Sequence, residues 1–278
     1  MLINETLPDA VGAQVERGVR RPRDNADMSI DEPVYTASQG KNAPVFLDIL
    51  RLYVPRGATG CDVTYGTGAF WTDDAEARIG LLHKSDQQTG VCLSALPYAD
   101  GSMGFHVMDP PYICGFFRPL ASQKAQAKHS DFSDRYGNHN GTGYKGLYYH
   151  AAVEAIYSDG LREAWRVLAP GGIQITKVQD EVSSHKQHLT HCHVVTEAQR
   201  LGFEVLDLFV VVRSDKPHVK RIQRQEHARK NHSYFLVFRR PPQKRARPSN
   251  VRAKPATAAA AQNVEDEQLL SAAVGART

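Results

Sequence analysis

From residue 33 to about residue 240 the chain alternates strand-like and helix-like segments, and that order restricts it to few architectures. Strands separated by helices form a parallel sheet covered on both faces, because each crossover lays its helix against the sheet. Phe46, Leu47, Ile49, Leu50 and Leu52 mark one helix face, stopped by Pro55 and Gly57. Residues 59–63 read as a short buried strand entering a glycine turn, and residues 70–78 as the helix that follows. Residues 79–84 form a second strand, 91–93 a short third and 104–108 a fourth. Residues 147–168 are amphipathic, with Val153, Ile156, Leu161, Trp165 and Leu168 on one side, and Pro170-Gly171-Gly172 stops them. A fifth strand at 173–178, a helix at Thr190–Leu201 ended by Gly202, and strands at Glu204–Val212 and 233–238 complete the pattern. In an open sheet of this kind, ligands bind beyond the carboxyl ends of the strands.

The flanks differ from this core. Residues 1–32 are polar with no sustained apolar period and read as a flexible arm. Residues 241–278 begin Pro241-Pro242, carry Pro248 and Pro255, and read as a disordered tail. Hydrophobic residues make up 41% of the 278, which supports a real core. No run approaches the roughly 18 apolar residues that would span a bilayer, and the polar N-terminus does not read as a secretory signal. Cys61, Cys92, Cys114 and Cys192 are scattered, as in a reducing compartment, so the expected location is cytoplasmic. Between Arg213 and Arg247 stand twelve basic residues, opposed only by Asp215 and Glu226. Such a stretch is either a solvated face or a field that draws a polyanion.

Two signatures fall at expected strand ends. The first is Asp62-Val63-Thr64-Tyr65-Gly66-Thr67-Gly68. Its glycines let the backbone turn tightly and approach a ligand without a β-carbon in the way. Trp71 stands where a dinucleotide fingerprint has its third glycine, and no Gly-Lys-Ser/Thr follows, so the loop suits a nucleoside without a pyrophosphate. Asp62 is placed to offset a positive ligand charge. Asp86, after the second strand, is either a ribose acceptor or an exposed loop acid.

The second signature is Asp109-Pro110-Pro111-Tyr112. Two prolines fix φ at about −65° and remove two amide donors, leaving a rigid turn. Asp109 and the Pro110 carbonyl can then both accept from one NH₂ group. An aromatic exocyclic amine gives its lone pair to the ring and is a poor nucleophile. Two acceptors favour pyramidal nitrogen and stabilise the positive charge that develops there. Tyr112 can stack on a base. Methylation at a cytosine ring carbon would need a thiolate nucleophile, and no Pro-Cys pair occurs in the chain.

These segments, with Lys41-Asn42-Ala43-Pro44 and the terminal Asn231-His232-Ser233-Tyr234-Phe235-Leu236-Val237-Phe238 strand, resemble the amino-group (adenine N6 or cytosine N4) DNA methyltransferases of bacteria and their phages, over roughly residues 33–240. The resemblance implies an α/β, Rossmann-like class I methyltransferase fold: seven mostly parallel strands, the last antiparallel, with helices on both faces. It implies S-adenosyl-L-methionine as cofactor, with Asp62, Thr64, Tyr65, Gly66, Gly68, Phe70, Asp86 and Leu93 as contacts. Asp109, Pro110, Pro111 and Tyr112 would hold the target amine. An Asp opening the tetrapeptide favours adenine N6. The implied partner is double-stranded DNA, as in restriction-modification, for a monomer or homodimer. RNA, cytosine N4, a protein side-chain amide and an inactive nucleic-acid-binding relative are the alternatives. Where the family often carries an acid on its third strand, this chain has Cys92.

No separate target-recognition domain is apparent. Residues 113–150 would act as a mobile lid over an extruded base. The basic insertion 213–232 would meet phosphates through Lys216, Lys220, Arg221, Arg224, Arg229 and Lys230. Phe116, Phe117, Tyr144, Tyr148 and Tyr149 either stack on bases or anchor the lid. His185, His188, His191, Cys192 and His193 cluster at the start of the helix read at 190, but no second cluster completes a zinc site, so no metal is expected.

Overall fold

The structure, a computed structural model, describes residues 33–113, 144–214 and 226–242. In chain order the elements are β1 (Ala37–Gln39), α1 (Asn42–Tyr53), β2 (Thr59–Asp62), α2 (Asp73–Glu76), β3 (Leu81–Lys84) and β4 (Met103–Met108). Then follow α3 (Tyr149–Val167), β5 (Leu168–Val178), β6 (Glu181–Ser183), β7 (Lys186–His188), α4 (Thr190–Leu201), β8 (Glu204–Val212) and β9 (His232–Arg239). Seven strands make one sheet in the order β1-β8-β9-β5-β4-β2-β3. The pairs β2–β3, β2–β4, β4–β5 and β1–β8 are parallel, and β9 runs antiparallel to both β5 and β8. The sheet is thus seven-stranded and mostly parallel, with its last strand reversed, as expected.

Its membership differs from expectation in one place. Residues 91–93 are not a strand. Gly90 turns at φ 79°, and the Cys92 carbonyl accepts from the Ala95 amide at 3.0 Å, closing a turn. The seventh strand is instead β1, which lies parallel to β8 at the opposite edge. The helix read at 70–78 is also shorter. Thr72 Oγ1 accepts from the Ala75 amide at 3.3 Å and starts α2 at Asp73, leaving Phe70 and Trp71 in the preceding loop. Residues 181–188, which include His185 and His188, form a β6–β7 hairpin rather than the start of a helix.

Alternation along the strands loads both faces. On β4, Phe105 and Val107 join the core under α1 and Met108 the core under α3 and α4; Met103 joins the second core across the register shift between Met103 and Phe105. On β9, Phe235 and Val237 face the first core, and Leu236 and Phe238 the second. α1 presents Val45, Phe46, Ile49 and Leu50 at helical spacing. α3 presents Val153, Ile156, Tyr157, Leu161 and Ala164. Gly160 sits in that face, where a β-carbon would lie 2.7 Å from Met108 Sδ, so the helix can approach the sheet closely. Arg166, near the end of α3, pins the loop before β4: its guanidinium donates to the carbonyls of Leu96 at 2.9 Å and Tyr98 at 2.7 Å.

His106, on β4 in register beside Gln174 of β5, is completely buried, and neither ring nitrogen has a hydrogen-bond partner. Burial pushes its pKa down to about 4 from 6.5. The unfolded chain therefore takes up a proton that the fold refuses as pH falls from 6.5 towards 4. The stability this residue contributes is full above pH 6.5 and drains across that window, by up to about 3 kcal/mol. In urea unfolding at several pH values, His106→Leu should flatten the wild-type decline between pH 6.5 and 4. Asp62 acts in the opposite sense, because its raised pKa removes stability as pH climbs through about 6. It is common to both proteins and drops out of the difference.

Candidate active site

The parallel strands β2, β3, β4 and β5 deliver their carboxyl ends to one edge of the sheet. Both sequence signatures stand there. At the end of β2, Asp62 is 2% exposed, and its carboxylate is fully engaged. Oδ1 accepts from the Thr64 amide at 2.9 Å and the Thr64 hydroxyl at 3.2 Å, and Oδ2 accepts from the Trp71 indole at 2.8 Å. Burial raises its pKa to about 6, against the pull of those donors. Asp62 is thus the brace of the glycine loop as well as a buried negative charge. Trp71 and Phe70 pack on Phe46, and Phe70 also meets Phe235, so both rings belong to the core beneath the loop.

The loop turns as its glycines require. Gly66 and Gly68 have φ of 54° and 70°, and a β-carbon at Gly68 would lie 2.5 Å from the Tyr65 hydroxyl, which folds back over it. The Tyr65 ring carries the Lys84 ammonium 5.0 Å from its centroid. Asp86, just past β3, is buried rather than an exposed loop acid. Its Oδ1 accepts from the Thr89 amide at 2.9 Å. Leu93 packs beside Gly160 on the α3 side of the sheet.

One hydroxyl links the two signatures. The Asp109 amide donates to Thr64 Oγ1 at 2.6 Å, and that hydroxyl donates to Asp62. The tetrapeptide corner is thereby tied to the glycine loop. The Asp109 side chain accepts from the Tyr112 hydroxyl and lies 3.5 Å from the Lys177 ammonium, which also donates to Tyr112. Burial raises the Asp109 pKa, and Lys177 opposes that shift more than any other neighbour. Lys177 stands one residue before the end of β5 and is 4% exposed. The strand pattern at 173–178 places it in β5 and assigns it no role. The signal was present, because a charge in a doubly covered strand needs a partner.

Of the expected substrate-binding residues, Arg229 and Lys230 precede β9, whose start pairs with the end of β5 and so with the site's edge. Lys216, Lys220, Arg221 and Arg224 lie outside the described residues, as do Phe116, Phe117, Cys114 and most of the segment read as a lid. Tyr148 and Tyr149 are exposed at the start of α3, whereas the Tyr144 hydroxyl donates to Asp159 at 2.7 Å. Of the clustered histidines, His191 Nδ1 is 2.7 Å from Asp180 and His193 Nε2 is 3.2 Å from the Ser158 hydroxyl, while His188 stacks on His150. Among the described residues no group of three or more His, Cys, Asp or Glu is arranged to hold a metal ion. No described helix is long and apolar enough to cross a membrane.

No protein-family model and no curated protein matches the chain. Solved structures that align with it include a candidate DNA modification methylase from Thermus thermophilus, at 15% identity and a TM-score of 0.33, over 69% of this chain and 58% of that one. This chain therefore spans little more than half of the Thermus protein. A candidate methyltransferase of Haloferax volcanii, in complex with the Trm112 activator, aligns at 13% identity and a TM-score of 0.39, over 74% and 90%. A SAM-dependent methyltransferase from Methanosarcina mazei aligns at 12% and 0.36, over 70% and 98%.

Proposed function

We propose that this protein is an S-adenosylmethionine-dependent DNA methyltransferase acting on an exocyclic amine, adenine N6 in the first place. The observation that carries the reading is the Asp62–Thr64–Asp109 chain of hydrogen bonds, which locks a proline-stiffened acceptor corner to a glycine loop at one sheet edge. The residues suit the cofactor: two buried carboxylates, Asp62 at the end of β2 and Asp86 just past β3, flank the loop that Gly66 and Gly68 turn. The cofactor would be held by Asp62, Thr64, Tyr65, Gly66, Gly68 and Asp86, with Phe70 and Leu93 beneath and beside. When bound, it supplies an electrophilic methyl group on sulfur.

The chain's own residues do the rest. Asp109 and the Pro110 carbonyl accept the two N–H bonds of the amine, concentrating its lone pair on nitrogen. Pro110 and Pro111 keep those acceptors from relaxing. Tyr112 offers a ring face to the base, and its hydroxyl helps fix the Asp109 carboxylate. An extruded base would reach this corner from a duplex held by Arg229, Lys230 and their basic neighbours.

The test is chemical. The protein is incubated with labelled cofactor and duplex DNA, the product is digested to nucleosides, and the methylated one is identified by mass. N6-methyldeoxyadenosine is the expected product. N4-methyldeoxycytidine would move the reading to cytosine, label in RNA alone would move it to RNA, and no transfer to any nucleic acid would overturn it. The ionised form of Asp109 is the acceptor, and burial raises its pKa. The methylation rate should therefore rise with pH through a limb that lies above the ordinary carboxylate range, measurable by single-turnover kinetics.

A further inference from the structure

Lys177 has no place in the sequence-based reading of this site, yet it stands at the centre of the corner. Its strand lies parallel to β4, with Met108 opposite Thr176, so the register sets Lys177 beside Asp109. From α3, the Tyr157 hydroxyl donates to the Lys177 carbonyl at 3.0 Å and fixes the backbone there. Its ammonium is enclosed by three rings, with centroids 4.8 Å (Tyr112), 5.5 Å (Phe70) and 6.0 Å (Phe235) away. It donates to the Tyr112 hydroxyl, which donates to Asp109, and lies 3.5 Å from the other Asp109 oxygen. Asp109, Tyr112 and Lys177 thus close a ring of polar contacts in which the ammonium is buried and the carboxylate and phenol are part-exposed.

We propose that Lys177 is a positioning residue for the amine-accepting corner, its ammonium holding the Asp109 carboxylate and the Tyr112 hydroxyl in the arrangement that receives the substrate. The inference rests on the function proposed above, and it assigns this residue a duty the tetrapeptide cannot perform alone. A carboxylate held largely out of water keeps its charge less readily unless a cation faces it. A protonated Asp109 would meet the amine as a donor and could not concentrate its lone pair. The charged and titratable groups around Asp109 are Lys177 from β5, Asp62 from β2, Tyr112 from its own turn, Tyr157 from α3 and Arg213 beyond β8. Of the two cations, Lys177 has the larger influence on Asp109 and Arg213 the smaller. The aromatic wall and the Tyr112 hydroxyl fix where the ammonium sits, so charge and geometry are set together.

Lys177→Met keeps the buried stem and removes the charge, Lys177→Gln keeps one donor without charge, and Lys177→Arg keeps the charge. In protein free of cofactor, the Asp109 carboxyl is followed by carbon-13 NMR across pH. Its titration should move upward in the Met and Gln variants and stay near wild type in Arg. With cofactor and DNA, kcat should fall about 100-fold in Met and Gln. Cofactor affinity and KM for DNA should stay within about threefold of wild type, a change worth under 1 kcal/mol. The acid limb of the rate profile should move upward, and raising the pH should recover part of the loss. An Asp109 titration that stays in place in whichever uncharged variant folds would overturn the proposal, as would full activity with an unshifted profile. The proposed function fails separately: if wild-type protein transfers no methyl group, the NMR arm still decides whether Lys177 governs Asp109.

Discussion

Replacing Asp109 with Asn should lower methyl transfer by about a thousandfold or more while cofactor affinity, measured by calorimetry, stays close to wild type. The amide cannot present a negative oxygen to the amine, and electrostatic stabilisation of developing charge is often the largest single contribution to catalysis. The Ala variant should lose as much activity and more stability. It leaves the Lys177 ammonium buried without its carboxylate, which costs on the order of 3 kcal/mol or more when a buried pair is broken from one side. Combining Asp109→Ala with Lys177→Met should therefore cost less than the two single changes added together, since the double variant leaves neither charge alone. Urea denaturation of the four proteins reads that coupling. Substantial methylation by the Asn variant would remove Asp109 from the mechanism.

The second large effect is expected at Asp62. Asp62→Ala would strand the Trp71 indole N–H and the Thr64 amide in the core, where each unsatisfied donor costs about 1–3 kcal/mol. It would also free Thr64, whose hydroxyl carries the Asp109 amide. Urea unfolding should show a loss of about 3 kcal/mol or more. Cofactor binding should fall by at least about tenfold, because the glycine loop loses its brace and the site loses a buried negative charge. Trp71 fluorescence reports the local change directly. A stable Asp62→Ala protein with wild-type cofactor affinity would mean that the loop needs neither the brace nor the charge.

The parts legible in the sequence were those with strong local chemistry. Gly202, at φ 102°, ends α4 where the helix was expected to stop, and β8 and β9 lie within a residue of the strands expected at 204–212 and 233–238. The two signatures were likewise readable, because glycine and proline declare backbone geometry by composition. Three features escaped. β1 is three residues long with an exposed, intermediate, exposed pattern, and only its pairing with β8 makes it a strand. Val91-Cys92-Leu93 looked like a strand because it is apolar, but Gly90 and the Cys92–Ala95 turn fold it back. Phe70 and Trp71 fall within the helix expected at 70–78, yet the Thr72 cap places them before it, against Phe46. The role of Lys177 is illegible in the sequence for a different reason. Strand periodicity says which face a residue occupies but not which neighbouring strand end it meets, and that depends on the β4–β5 register.

The most direct test of the corner is a crystal structure of the protein with duplex DNA and a non-reactive analogue of the cofactor, bearing an amine in place of the methyl-sulfonium group. The expected result places the extruded base with its exocyclic nitrogen hydrogen-bonded to Asp109 and the Pro110 carbonyl, and the analogue's amine about 3–3.5 Å behind it. An analogue bound away from the 62–68 loop, or a corner that faces water while the base sits elsewhere, would contradict the account.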